Sequence, residues 1–65
     1  MNPIIEEFVR HGNLASFHFA GDAGEWRYGY DEMEKALSLF DQNPSLQDEM
    51  RDEADFLWSL SMYRP

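Results

Sequence analysis

Residues 14–30 read LASFHFAGDAGEWRYGY, and the fold turns on how this stretch is read. Leu14 to Ala20 and Glu25 to Tyr30 both alternate in the manner of half-buried strands. Gly21-Asp22-Ala23-Gly24 lies between them and is rich in turn formers. With those four residues as the loop, Ala20 pairs with Glu25, Phe19 with Trp26, Phe17 with Tyr28 and Ala15 with Tyr30. Every large side chain then falls on one face, and Ser16, His18, Glu25, Arg27 and Gly29 occupy the other. A one-residue slip would destroy this segregation. The stretch therefore predicts an antiparallel hairpin.

Helical signals flank it on both sides. Asn2-Pro3 reads as an N-cap followed by proline at the first helical position. Glu6 and Glu7 complement the helix dipole, and Ile4, Ile5, Phe8 and Val9 supply an apolar face. Gly12 is a stop signal, so the first helix is predicted from Pro3 to His11. After the hairpin, Asp31 can cap a second helix and Glu34 can close a capping box. Met33, Ala36, Leu37 and Phe40 follow at helical spacing until Asn43-Pro44. Ser45 reads as the cap of a third helix, with Asp48 and Glu49 in its first turn, running close to Pro65. The expected fold class is α+β: a two-stranded hairpin covered by three helices, in the order αββαα, forming a single domain over residues 1–65.

The 65 residues include no cysteine, which excludes disulfides, thiolate zinc sites and cysteine nucleophiles. The first residues lack the basic-then-apolar pattern of a signal peptide, and no apolar run approaches the roughly 18 residues of a membrane span. A cytoplasmic protein is expected. Net charge is −8. That balance disfavours nucleic acid and anionic membrane as direct partners and favours a basic protein surface.

The charge is concentrated. Residues 31–55 hold nine carboxylates, opposed only by Lys35 and Arg51, which accounts for −7 of the −8. Asp48, Asp52 and Asp55 stand at i, i+4 and i+7, on the helix face opposite Leu46, Met50 and Leu57. Like charges at that spacing, about 5–6 Å, destabilise a helix by a few tenths of a kcal/mol each. Solubility alone does not require this cost. A carboxylate row at such a pitch resembles the charge spacing of a nucleic-acid backbone.

Two features fit less simply. Glu53 falls inside the apolar stripe of Leu46, Met50, Leu57 and Leu60, so either the first half of this helix lies outside the core or Glu53 pairs with Arg10 or Arg27. Trp58 and Met62 point away from that stripe. In a chain so short of core they are expected to be sandwiched within it; exposed, they would serve as an anchor for a partner or a second copy.

Catalytic and metal patterns are missing from the sequence. His11 is placed at the end of the first helix, and His18 on the polar strand face opposite Arg27, with no HxxxH or HxH spacing. The aspartate row lacks the glycine-centred loop that calcium uses, and Gly21–Gly24 lacks the lysine and helix of a phosphate loop. The serines lack a nucleophile elbow. A non-enzymatic protein without cofactor or metal is expected.

A tiny cysteine-free chain, acidic on its helices and without a catalytic motif, resembles the small phage-encoded anti-CRISPR proteins that mimic DNA. Glu32, Glu34, Asp48, Glu49, Asp52, Glu53 and Asp55 carry the resemblance. It implies an inhibitor that binds a DNA-binding subunit of a CRISPR–Cas complex; separately, a monomer is expected rather than a homodimer. Two alternatives stay open: an interaction or homodimerising module using the apolar end of the last helix, and an immunity-like or antitoxin-like inhibitor of a basic nuclease.

Overall fold

The computed structural model describes residues 2–21 and 25–62. The chain runs through α1 (Pro3–Phe19), α2 (Trp26–Gln42), a 3-10 turn (Pro44–Leu46) and α3 (Gln47–Ser61). Among the described residues there is no strand, so the expected α+β class with its hairpin is corrected to an all-helical bundle of three helices. Both expected strands are helix: Leu14 to Phe19 continue α1, and Trp26 to Tyr30 open α2. Of the expected loop, Gly21 is a bend, and residues 22–24 lie outside the described residues.

The reason lies in a second periodicity that runs through the same stretch. Phe8, Gly12 and Ala15 are buried and Phe19 packs beside the core, at i, i+4, i+7 and i+11. Gly29, Met33 and Ala36 repeat the pattern in α2. A helix of this kind satisfies its own backbone groups, whereas a lone hairpin leaves two open edges. Residues 14–30 contain no Val, Ile or Thr, so their strand preference rests on the aromatic residues alone. The helical solution leaves Phe17 (68%) and Tyr28 (53%) exposed, two side chains that the hairpin register would have turned inward.

Two glycines thought to be a stop and a polar strand position are packing positions. Gly12 sits buried in mid-α1, where a Cβ would lie 3.3 Å from Glu53 Oε1 and 3.6 Å from Leu57 Cδ1. Gly29 is buried in α2, and a Cβ there would meet the Phe19 ring at 2.9 Å. Each lets a neighbouring helix or ring approach closely. The buried residues Ala15, Ala36 and Ala54 extend this small-residue packing around Phe8, Met50 and Leu57.

The helix ends follow local chemistry in part. Asn2 caps α1 as expected: its Oδ1 accepts from the Ile4 N–H at 2.8 Å, with Pro3 next in line. Asp31 and Glu34 do not form a cap, because α2 has already begun at Trp26. Asn43-Pro44 does end α2, and Asn43 Nδ2 donates to the Leu39 carbonyl at 2.8 Å. Ser45 lies within the 3-10 turn rather than at a cap, and Leu46 precedes α3 without any side-chain cap. Gln47 Nε2 donates instead to the Phe40 carbonyl at 3.0 Å, tying the start of α3 to the end of α2. At the other end, the Tyr30 hydroxyl donates to the Ser61 carbonyl at 3.1 Å. These bonds hold α2 and α3 side by side, which positions the acidic surface.

Candidate partner-binding surface

The bundle divides the seven expected binding carboxylates into two groups. Glu34, Asp48, Glu49, Asp52 and Asp55 are exposed. Asp48, with its side chain 98% accessible, Asp52 and Asp55 form the predicted row along α3, and Met50 and Leu57 are buried on the opposite side. Arg51 Nη2 stands 3.4 Å from Asp48 Oδ1, an open pair that salt screens readily.

Glu32 and Glu53 belong to the second group and face inward. His11 Nδ1 donates to Glu32 Oε2 at 2.5 Å, and Lys35 Nζ reaches Glu32 Oε1 at 3.4 Å. The His11 hydrogen bond, opposed by burial and assisted by Lys35, holds the Glu32 carboxyl below its ordinary value. His11 is therefore not the end of a helix: it lies in mid-α1, with Nε2 also 3.4 Å from Glu7 Oε2. His18 is likewise helical, its Nδ1 3.3 Å from Glu25 Oε1, and its ring packs beside Phe17 and Tyr28.

Glu53 is half-buried against Gly12, and the residues around it, Met50 and Ala54, are in the core. The first half of α3 thus does pack inward. Arg10 pairs with Glu7 at 2.7 Å, and that hydrogen bond holds the Glu7 carboxyl low. Among the described residues, Glu53 has no ion pair with either expected partner.

Sequence reasoning included Glu34 of α2 in the binding set but left out Asp31 and Asp41. Asp31 and Glu34 line a shallow hollow of about 260 Å³ with Lys35 and Ser38. Glu34 and Asp41 border a second groove, of about 320 Å³, whose floor is Tyr30, Met33 and Leu37 and whose wall is Trp58 of α3. The spacing of Glu34, Ser38 and Asp41 at i, i+4 and i+7 was a usable signal, but assigning Asp31 and Glu34 to a cap obscured it. Trp58 and Met62 were expected in the core; they are 58% and 84% exposed. At the end of α3 the inward positions are already filled by Leu57, Leu60 and Ser61.

No known family, curated protein or solved structure matches the chain. Among the described residues no helix is long and apolar enough to cross a membrane.

Proposed function

We propose that this protein is a non-enzymatic inhibitor that occupies a basic, nucleic-acid-binding surface of another protein or complex by presenting DNA-like charge. One observation carries the reading. Glu34 and Asp41 of α2 and Asp48, Glu49, Asp52 and Asp55 of α3 are all exposed on adjacent helices, while both Lys/Arg residues of that segment already stand beside a carboxylate. These two cations offset Glu32 and Asp48, and Glu34, Asp41, Glu49, Asp52 and Asp55 leave a net negative field on that surface. Along α3, Asp48 to Asp55 place roughly one charge per 5 Å, given about 1.5 Å of rise per residue, against one per about 3.4 Å for a single DNA strand. The surface offers a dilute, rigid copy of a phosphate row.

Such a row binds through many weak, screened contacts. A CRISPR–Cas surveillance complex, whose basic channel receives target DNA, is the target class to which the acidic character points. The test is a salt titration of binding to such a complex, with Asp48, Asp52 and Asp55 changed together to Asn. Steep loss of binding with salt, and loss in the variant while helicity is retained, support the reading. Binding unaffected by the triple change rejects it.

A further inference from the structure

The groove between α2 and α3 is not a simple phosphate mimic, because its floor is apolar. Tyr30, Met33 and Leu37 lie at its base, and Trp58 stands beside them with more than half of its surface exposed. Met62, one turn beyond Trp58, is 84% exposed. A protein that needed only charge would gain nothing from keeping an indole in water. Tryptophan in a pocket of this kind is the residue type that dominates interface energetics.

Charge identifies the occupant. Glu34 and Asp41 form the α2 rim, and Asp55 precedes Trp58 by three residues, on the adjoining helical position. Among the described residues that line the groove there is no Lys or Arg. A second copy of this chain, docked face to face, would bring the same carboxylates against themselves, and like charges across an interface are costly. An apolar anchor flanked by positive charge meets both halves of the site. An amphipathic helix laid in a groove has that form, with anchors at i, i+3 or i+4, and i+7.

We infer that the α2–α3 groove seats a basic amphipathic helix of the partner protein, with an apolar side chain against Trp58 and flanking Lys or Arg on Glu34, Asp41 and Asp55. This rests on the reading that the partner is basic, and does not require that the partner bind DNA.

The probes are three synthetic helical peptides of equal length: one with a leucine face and lysine flanks, one with its leucines changed to alanine, and one with its lysines changed to glutamate. Affinity is measured by calorimetry against the full chain and its Trp58→Ala and Trp58→Phe variants, with circular dichroism to verify folding. The Leu/Lys peptide is expected to bind, Trp58→Ala to weaken it about tenfold or more, and Trp58→Phe to retain most of the affinity. The Ala/Lys and Leu/Glu peptides should each bind at least tenfold more weakly. Equal binding of the Ala/Lys peptide, or indifference to Trp58→Ala, overturns the groove and leaves the acidic-surface reading standing. Failure of both lysine peptides overturns both. A salt-insensitive dimer in sedimentation, broken by Trp58→Ala, would assign the groove to a second copy and so reject the basic helix.

Discussion

His11 Nδ1 lies 2.5 Å from Glu32 Oε2, joining the middle of α1 to α2 inside a surface otherwise given over to solvated charge. Both side chains are largely covered, at 14% and 17% exposure. A carboxylate can only accept, so the imidazole Nδ1 carries the proton. The bond removes one carboxylate from the acidic face and uses it to fix the packing of the two helices.

Replacing Glu32 with Gln should therefore destabilise the bundle by about 1–2 kcal/mol at neutral pH, through loss of a partly buried charged hydrogen bond. Urea unfolding followed by circular dichroism measures this.

The same bond gives a pH dependence of known sign. The folded-state carboxyl of Glu32 is held below its ordinary value, chiefly by the His11 hydrogen bond, so its contribution is fully present above the unfolded pKa. It is lost as pH falls through the lower folded value. As pH falls from neutral through the carboxylate range the wild type should lose more stability than Glu32→Gln, and the two urea midpoints should converge in acid. Parallel loss in both chains would mean that His11 does not stabilise the Glu32 carboxylate.

The two buried glycines should respond oppositely to alanine. At Gly29 the new methyl meets the Phe19 ring at 2.9 Å, and that ring is itself held edge-on to Tyr30. Overpacking of about 1–3 kcal/mol should exceed the roughly 1 kcal/mol that alanine gains over glycine in a helix. At Gly12 the nearest atom is the end of the Glu53 side chain at 3.3 Å, which can move aside. Gly12→Ala should leave stability unchanged or raise it by up to about 1 kcal/mol. Thermal melts of the two variants check the contrast.

The α3 row should carry a measurable cost. Changing Asp52 and Asp55 to Asn removes like-charge neighbours without altering helix propensity much, while sparing Asp48 in the favourable first turn. The melting temperature should rise by a few degrees at low salt, and the gain should shrink as salt is added.

How far the sequence could be read depended on which period was followed. The termini of α1 and α2 that rest on local chemistry, Asn2-Pro3 and Asn43-Pro44, were legible because capping and proline sterics act within a few residues. The middle was not. Phe17, Phe19, Trp26, Tyr28 and Tyr30 follow a period of two, whereas the helical stripe runs through small residues, Gly12, Ala15, Gly29 and Ala36, and Gly12 and Gly29 read as breakers. Both glycines are tertiary contacts, made to Leu57 and Phe19, that no local signal reveals. The absence of β-branched residues from 14–30 was the available clue. The α3 carboxylate row survived this error, since Asp48, Asp52 and Asp55 lie on one helix face under either fold. Glu32 could not be separated from the acidic set without knowing that α1 runs past His11.

The most direct test of the central claim is competition for DNA. A CRISPR–Cas surveillance complex loaded with labelled target DNA is titrated with this protein, and with its Asp48→Asn, Asp52→Asn, Asp55→Asn variant, at low and high salt. The account predicts that the wild type displaces the DNA, that displacement weakens steeply with salt, and that the folded variant displaces it far less well. DNA that stays bound throughout, or a variant that competes as well as the wild type, would contradict it.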